Sequence, residues 1–438
     1  MKLAHIADLH CSREHAEEAL ASLRFFAEHI KKSPVDLVCV AGDVWDASIL
    51  NTEASGYNRF VDAIREIAEN APVAMIYGTP SHDTDGSLEV FRKIDCKYGI
   101  TILEPGQAYF LYSGVMNPES EHFISSVSNP AAGDPEAILF GIPEPRKKYL
   151  LAGEASGKDE TEEAVRDALH RLCFLLAAKR REYPDVPCVV LYHGDVAGST
   201  LQNDQTVERG TGIAITVDDL ADIGADYYAL GHIHKPQSVG NLPAFYAGSI
   251  YPKNFGETHQ AGFNVFNIEA DVNGFRTKGV IYDFPHPQNL KLEHTFQPFG
   301  LFDPAYGLFE PDSEAIKGKR VWLELTCTKE RRTIMGDPER YLELLMQMGA
   351  APGSRVTVNE LPVETVRAAE IAGVESLPGK FQIWAEQSGK LDYFMEHSLS
   401  MTGKIDGLEE NIRRESGAGS GEWELVSVRV RGAVGIRK

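Results

Sequence analysis

Five apolar, strand-like segments of this chain end directly at residues that can bind a metal ion or form a tight turn. The motifs at these ends are, in chain order, DLH (8–10), GD (42–43), GTPSHD (78–83), HG (193–194) and GHIH (231–234). Segments with helical spacing of apolar residues lie between most of the strands, and this order indicates the α/β class. Because open α/β sheets place ligands at the carboxyl ends of their strands, we expect the five motifs to meet at one site.

The residue types in these motifs are those that bind divalent cations. A two-metal hydrolase needs neutral imidazoles and carboxylates that converge on cations roughly 3.5–4 Å apart, with one carboxylate bridging both. In DLH and HIH, side chains two residues apart in an extended segment lie on one side, so both can face one pocket. A single motif of this kind is more often a solvated or structural pair than a metal site. Five of them in order, each after an apolar strand, indicate a two-metal centre.

The composition is that of a folded protein with more than one domain. The chain has 438 residues, of which 43% are apolar and 24% charged, and this excludes a disordered or collagen-like protein. It has no run of eighteen apolar residues, its first segment does not resemble a signal peptide, and its six cysteines are scattered. We therefore expect a cytoplasmic protein that does not span a membrane. The net charge of −21 argues against bulk attraction to nucleic acid but is compatible with cation binding.

Taken in order, the motifs resemble those of the calcineurin-like metallophosphoesterases, whose pattern runs D-x-H, G-D, G-N-H-D, H and G-H-x-H. The resemblance covers about residues 1–270 and implies an α/β fold in which a β-sandwich is flanked by helices. It also implies a ligand set for two divalent metal ions, with one aspartate shared by both. The first ion would be held by Asp8, His10, Asp43 and His234, and the second by Asp43, His193 and His232.

The loop GTPSHD carries the catalytic positions that the resemblance implies. His82 would lie near the phosphate as the acid or the electrostatic helper, and Asp83 would orient its ring. Where the family has Asn beside this histidine, the chain has Ser81, in a lengthened loop. Ser81 is therefore expected at the second metal. Since a hydroxyl is a poorer ligand than an amide carbonyl, this metal would bind more loosely or take a water instead, and catalytic inactivity is an open alternative.

Longer stretches resemble the SbcD family, the nuclease subunits of SbcCD double-strand-break repair complexes. These stretches are AGDVWD (41–46), HGDVAGS (193–199), DYYALGHIHKPQ (226–237) and FYAGSIYPKNFGE (245–257). This resemblance implies a DNA exonuclease or endonuclease that uses two divalent ions, Mn²⁺ in preference to Mg²⁺. It further implies action on DNA ends or hairpins, an SbcC-type SMC-like ATPase as partner, and a homodimer.

The residue composition of the chain changes at about residue 284, after the last motif, and the sequence predicts four regions. They are a nuclease domain (1–283), a Pro-rich linker (284–318), a small α+β capping domain (319–388) and a partner-binding helical region with a terminal strand (389–438). The tail WELVSVRVRGAVGIRK (423–438) is similar to the opening strand of the SbcC-type ATPase. It is either the front of a nuclease–ATPase fusion or a strand that pairs within its own fold.

Two other functions remain open at this point. One is a phosphoesterase of the same fold with a small substrate, against which the capping domain and the stretch 245–257 argue. The other is a catalytically weak DNA-end scaffold for an SMC-like ATPase, which Ser81 favours.

Overall fold

A computed structural model describes residues 1–46, 56–113, 122–128, 133–144, 162–201, 204–207, 213–272, 274–295, 312–329, 332, 335–361, 380, 383, 384 and 386. Residues 1–361 form one compact unit and residues 362–438 form a second one. The predicted partner-binding region 389–438, including the tail, lies outside the described residues. No helix in the described ranges is long and apolar enough to cross a membrane.

The first large sheet has six strands. In spatial order they are Gly274–Asp283 (β15), Gly262–Asp271 (β14), Lys2–Ile6 (β1), Leu37–Ala41 (β2), Val73–Ile76 (β3) and Ile100–Ile102 (β4). β1 to β4 are parallel, whereas β14 and β15 are antiparallel to their neighbours. Helices Ala16–Lys32 (α1) and Tyr57–Ala68 (α2) pack on its outer face.

The second large sheet has seven strands. In spatial order they are Gln237–Ser238 (β12), Ala244–Tyr246 (β13), Tyr227–Gly231 (β11), Cys188–His193 (β8), Ala137–Ile142 (β7), Ala108–Ser113 (β5) and His122–Ser125 (β6). Helices Glu162–Arg180 (α3) and Val217–Ile223 (α4) pack on its outer face. Two short strands, Asp195–Val196 (β9) and Ala214–Ile215 (β10), pair with each other beside it.

The two large sheets pack face to face. In β2, Val38 and Val40 contribute to the core under the helices, whereas Leu37 and Cys39 join the core between the sheets. Such strands are buried on both faces, which is why they read as continuous apolar runs in the sequence. The result is a four-layer arrangement of helices, sheet, sheet and helices, and it confirms the predicted β-sandwich flanked by helices.

A third sheet forms a small α+β structure. Its strands are Asn289–Thr295 (β16), Arg320–Thr328 (β17) and Arg355–Leu361 (β18), all parallel, and helices Ser313–Ile316 (α5) and Pro338–Gln347 (α6) accompany them. In β17 every second residue, from Val321 to Cys327, is buried. β16 lies inside the region predicted as a linker. The Pro-rich flanks suggested a linker, but NLKLEHT alternates apolar and polar residues with the period of two that a half-buried strand requires.

Candidate metal centre

The carboxyl ends of five parallel strands bring the predicted motifs together. Asp8 and His10 follow β1, Asp43 follows β2, and the loop 78–83 follows β3. His193 ends β8, and the two histidines of GHIH follow β11. The candidate ligand atoms form three groups, each with its members within 4.8 Å of one another: Asp8, His10 and His234; His10, Asp43 and His82; and Asp43, His193 and His232. Asp43 is the one carboxylate that belongs to two of these groups, as the predicted bridging residue should.

Backbone hydrogen bonds hold the first two motif loops side by side. The N–H of Asp8 donates to the carbonyl of Gly42 at 3.1 Å, and the N–H of His10 donates to the carbonyl of Asp43 at 2.9 Å. The carboxylate of Asp8 accepts the N–H of His232 at 2.9 and 3.2 Å. The GHIH loop is therefore tied to the DLH loop although 224 positions separate them in the chain.

His10 and His234 present ring nitrogens to the same point. Their Nε2 atoms are 2.8 Å apart, and Nε2 of His10 lies 3.8 Å from Oδ2 of Asp43. Nδ1 of His234 donates to Oε1 of Glu257 at 2.8 Å. The neutral ring of His234 therefore has its lone pair on Nε2, the atom that faces His10, as a metal ligand requires.

In the group of Asp43, His193 and His232, a second hydrogen bond likewise orients an imidazole ring. Nδ1 of His193 donates to the carbonyl oxygen of Ala41 at 2.7 Å, and Nε2 lies 3.3 Å from Oδ1 of Asp43. In the neutral ring the lone pair is therefore on Nε2, the atom that faces Asp43. The rings of His193 and His232 meet edge to face with centroids 5.3 Å apart. Both imidazoles thus reach one face of the Asp43 carboxylate.

Glycines allow the strand ends to approach this closely. A Cβ atom on Gly78 would lie 2.1 Å from the backbone nitrogen of Asp43, and one on Gly42 would lie 2.4 Å from Nδ1 of His193. Four residues of the cluster have positive φ angles: Asp8 (52°), His10 (40°), Asp43 (50°) and His232 (101°). Such conformations cost on the order of 1–3 kcal/mol each and persist at functional sites where the surrounding structure enforces them.

Burial sets the protonation of the cluster. It lowers the pKa of His10 well below its usual value and that of His232 to about 4, so both rings are neutral near pH 7. It raises the pKa of Asp8 to about 6. Burial also opposes the charged forms of His193 and Asp43, but their mutual attraction outweighs it, raising the pKa of His193 to about 10 and lowering that of Asp43. The metal-free cluster therefore stores a proton on His193 that a cation would displace.

The structure places the predicted catalytic loop beside the cluster. The His82 ring is half-buried, 4.6 Å from the His10 ring between centroids, and its buried Nδ1 has no hydrogen-bond partner among the described residues. The Asp83 carboxylate accepts the backbone N–H groups of Gly78, Val44 and Trp45, at 2.8, 3.2 and 3.0 Å. It thereby joins the loops that follow β2 and β3, and the proposed orientation of the His82 ring by Asp83 stays a prediction.

Ser81 is placed differently from the other predicted residues. Its side chain is exposed, and within the described part of the chain it makes no hydrogen bond to the cluster. Its assignment to the second metal therefore stays a prediction of the sequence. The hydroxyl of this loop that hydrogen-bonds to Asp43 is that of Thr79, two residues earlier.

Three residues near the cluster were not assigned a role from the sequence. Glu257 is buried and accepts the N–H of His234, although it entered the sequence analysis only as the last residue of the stretch 245–257. Lys253 extends its Nζ to 3.4 Å from Nδ1 of His10. Oδ1 of Asp195 is buried without a hydrogen-bond partner in the described ranges and lies 3.7 Å from Nε2 of His232.

The donor set fits divalent cations. Imidazole nitrogens and carboxylate oxygens together suit Mn²⁺, Fe²⁺ and Zn²⁺, and the carboxylates also suit Mg²⁺. The ring nitrogens that converge are held in their ligand tautomer by second hydrogen bonds to Ala41 and Glu257. No thiol competes, because the cysteine nearest to the cluster in sequence, Cys11, is buried in the core under the helices, and burial raises its pKa well above the usual value.

Two sheets packed face to face, with imidazoles and carboxylates gathered at the strand ends around one shared aspartate, define a metallophosphoesterase. The family model of the calcineurin-like phosphoesterases matches residues 1–236, and the chain belongs to this family.

Curated relatives include several nucleases. The SbcD subunit of the nuclease SbcCD from Staphylococcus epidermidis is 26% identical over 277 residues, which are 61% of this chain and 66% of the relative. The same protein of Escherichia coli K12 is 25% identical over 59% of this chain and 62% of its own length. The DNA double-strand break repair protein Mre11 of Methanopyrus kandleri is 24% identical over 65% of this chain and 56% of the relative. The chain thus spans between 56% and 66% of the length of these relatives.

Similar solved structures include GAP50, the anchor in the inner membrane complex of Plasmodium, and a dimetal phosphatase from Danio rerio. The first has a TM-score of 0.38 at 13% identity and covers 66% of this chain and 89% of its own. The second has a TM-score of 0.35 at 12% identity and covers 65% of this chain and 99% of its own.

Proposed function

We propose that the chain is a two-metal phosphodiesterase that cleaves DNA, the nuclease subunit of an SbcCD-type repair complex. The observation that carries this proposal is the position of Asp43, whose carboxylate belongs to two groups of candidate ligands at once. The relatives named as SbcD and Mre11 support DNA as the substrate. We further propose an SbcC-type SMC-like ATPase as partner, DNA ends or hairpins as sites of action, a homodimer and a cytoplasmic location.

The proposed ligands are those named from the sequence. The first cation would be held by Asp8, His10, Asp43 and His234, and the second by Asp43, His193 and His232. We propose Mn²⁺ for both sites, with Mg²⁺ as the alternative. Two divalent cations would stabilise the charge of a bound phosphate diester and lower the pKa of water to near neutrality.

The chain's own residues would position the diester and its leaving oxygen. Burial lowers the pKa of His82, so its ring is neutral near pH 7 and offers an N–H as a hydrogen-bond donor to the phosphate or the leaving oxygen. The ammonium group of Lys253 lies beside His10. Its Nζ also forms an ion pair with Oδ2 of Asp46, at 3.7 Å. Both groups offset negative charge that develops on the departing strand.

A cationic and aromatic surface on the small sheet favours DNA over a small ester. The Arg355 guanidinium lies over the rings of Phe255 and Trp322, 4.6 Å from each centroid, and Nζ of Lys291 lies 4.8 Å from the Trp322 centroid. Phe255 belongs to the same loop as Lys253 and Glu257. Aromatic rings that alternate with cations beside a phosphate site suit a nucleic-acid strand, since bases stack and phosphates pair.

Cleavage assays on two substrates test the proposal. The chain is incubated with linear and hairpin DNA and with bis-p-nitrophenyl phosphate, in Mn²⁺ and then in EDTA, and we expect chelator-sensitive cleavage of the DNA. Hydrolysis of the small ester alone would instead indicate a small-substrate phosphoesterase. Absence of turnover together with binding to an SbcC-type ATPase would indicate a scaffold.

His82→Ala examines the catalytic loop in the same assay. We expect it to lower the rate of DNA cleavage by about 100-fold or more while bound Mn²⁺, measured by elemental analysis, stays at the wild-type level. His122→Ala removes an imidazole from β6, outside the cluster, and serves as the matched control with unchanged rate. If His82→Ala lost Mn²⁺ as well as activity, His82 would be a metal ligand, as its grouping with His10 and Asp43 also allows.

A further inference from the structure

We propose that Thr79, and not Ser81, supplies the hydroxyl ligand of the second metal ion. The inference rests on the two-metal centre proposed above and concerns which residue of the GTPSHD loop completes it. In the family pattern an amide side chain of this loop precedes the histidine directly, and alignment by sequence places Ser81 there. The structure brings a different side chain of the loop to the ligands.

The Thr79 side chain contacts two candidate ligands of the second metal ion, Asp43 and His193. Its Oγ1 is 3.2 Å from Oδ2 of Asp43 and 3.4 Å from Nε2 of His193. Since the proton of His193 that donates to Ala41 is on Nδ1, the Nε2 atom that faces Thr79 is the one with the free lone pair in the neutral ring. A carboxylate oxygen, an imidazole nitrogen and a hydroxyl oxygen thus face a common point.

The backbone of the loop holds Thr79 in this place. The N–H of Thr79 donates to Oδ1 of Asp43 at 2.5 Å, so the residue is tied to the bridging carboxylate by its main chain and its side chain. The preceding Gly78 lies so close to Asp43 that any side chain there would collide with it. The carboxylate of Asp83 accepts the N–H of Gly78 at 2.8 Å and closes the loop from the other end.

Ser81 has none of these features. Pro80 separates it from Thr79, its side chain is exposed, and it makes no hydrogen bond to a cluster member among the described residues. A ligand is effective when it is held in position before a cation arrives, and of the two hydroxyls only that of the half-buried Thr79 is held against Asp43 and His193.

A threonine hydroxyl is a competent ligand for a hard cation. The phosphate-binding loop of nucleotide hydrolases uses a Ser or Thr hydroxyl on Mg²⁺ in this way. The hydroxyl of Thr79 can give its lone pair to the cation while its proton stays hydrogen-bonded to Asp43, so the hydroxyl itself does not have to lose a proton. The second ion therefore keeps a neutral oxygen ligand at the place where the family uses an amide.

Mn²⁺ binding to matched variants of the full chain tests the assignment. Stoichiometry and affinity are measured by calorimetry and elemental analysis, and spin coupling between the two ions by electron paramagnetic resonance. The variants are Thr79→Val, which removes the hydroxyl at nearly constant shape, Thr79→Ser, which keeps it, and Ser81→Ala. Circular dichroism in EDTA establishes that each variant is folded.

We expect wild type to bind two coupled Mn²⁺ ions. Thr79→Val should weaken the second ion about 10–100-fold and abolish the coupled signal at limiting Mn²⁺, whereas Thr79→Ser and Ser81→Ala should bind like wild type. If Ser81→Ala weakened the second ion and Thr79→Val did not, Ser81 would be the ligand and our assignment would be wrong. Unchanged binding in both variants would exclude a hydroxyl ligand altogether. A wild-type chain that binds no ion pair would instead refute the two-metal centre itself.

Discussion

Glu257 contacts the candidate metal centre through a hydrogen bond to His234. Its Oε1 accepts the N–H of His234, while its Oε2 accepts the backbone N–H of Lys253 at 2.8 Å and lies 3.3 Å from the hydroxyl of Ser249. All these groups are donors, so an N–H or O–H group in place of a carboxylate oxygen would face another donor. Burial opposes its charged form, but the hydrogen bond and the charge of His234, together with the backbone N–H of Lys253, outweigh this and lower the pKa of Glu257.

Glu257→Gln should therefore weaken metal binding without removing a ligand. The amide keeps the size of the side chain but brings an NH₂ group against a donor and removes the charge that makes His234 a stronger base. We expect the affinity for the first Mn²⁺ to fall about 10-fold or more, as measured by calorimetry. Glu269→Gln, at an exposed position near the end of β14, is the control with no change. An unaltered Mn²⁺ affinity in Glu257→Gln would mean that the orientation of His234 does not depend on this carboxylate.

At the scale of elements, β1 connects the two sheets through a buried histidine. Nδ1 of His5 lies 3.1 Å from the hydroxyl of Tyr227 on β11 and 3.4 Å from Nδ2 of Asn264, its partner on β14. Burial lowers the pKa of His5 to about 3. The ring is not among the candidate metal ligands, so its protonation affects folding rather than metal binding.

The buried His5 should make the fold sensitive to acid. Its pKa is about 3 in the folded chain and 6.5 in the unfolded chain, so the unfolded chain binds more protons between these values. The stabilisation is complete above pH 6.5 and is lost as the pH falls below it, by about 2 kcal/mol at pH 5. Urea unfolding in EDTA at pH 7 and pH 5 should show this loss in wild type and a smaller one in His5→Gln. Equal losses in the two chains would show that His5 does not carry the effect.

The small sheet and the loop 252–257 are joined by Arg355. The guanidinium contacts Phe255 of the loop and Trp322 of β17, and the side-chain amide of Asn289 donates to the carbonyl of Asn254 at 2.7 Å. This loop also carries Lys253 and Glu257. The small sheet therefore supports the loop whose Lys253 and Glu257 contact the candidate ligands His10 and His234.

Arg355→Ala should loosen this loop. Two cation–ring contacts at partly exposed positions contribute about 0.5–1 kcal/mol each, so amide exchange in residues 251–257 should become about 5- to 30-fold faster. Hydrogen exchange followed by mass spectrometry measures this, with Arg276→Ala on β15 as the control. Exchange at the wild-type rate would show that the small sheet does not support the loop.

At the scale of the whole molecule, the candidate centre links the two sheets. β1, β2 and β3 of the first sheet and β8 and β11 of the second are each followed by or end at candidate ligands, so a bound cation would join strands that belong to different layers. The carboxylates of Asp8 and Asp43 also lie close enough to repel each other, and a bound cation would offset this repulsion. We therefore expect metal binding to stabilise the sandwich.

Removal of metal should lower the melting temperature. At Mn²⁺ concentrations of 100 times the dissociation constant, each site adds about 2.7 kcal/mol to the free energy of unfolding. Differential scanning calorimetry in Mn²⁺ and in EDTA should show this as an upward shift with Mn²⁺, which Asp43→Ala should abolish. The same melting temperature in both buffers would indicate that the cluster does not bind the ion in the folded chain.

Much of the architecture could be predicted because it depends on local patterns. Continuous apolar runs such as Leu37–Ala41 are typical of strands buried on both faces, and they predicted the central strands directly. β16 was missed because its alternating pattern is short and lies between prolines, and such a strand forms only when a neighbour such as β17 is present to pair with it.

The sequence by itself determined the positions of the Asp and His motifs at the ends of apolar strands. Since parallel strands of one sheet bring their carboxyl ends to one edge, this order predicts that Asp8 and Asp43 meet. His193 ends a strand of the other sheet, and only the face-to-face packing of the two sheets brings it to Asp43. The sequence could not determine which neighbours complete the centre. Glu257 and Thr79 act through contacts with residues 23 and 36 positions away, on other loops, and only the packing of those loops brings their oxygens to His234 and Asp43. Tertiary structure decided these roles because a hydrogen bond depends on a distance of about 3 Å, which spacing along the chain does not encode.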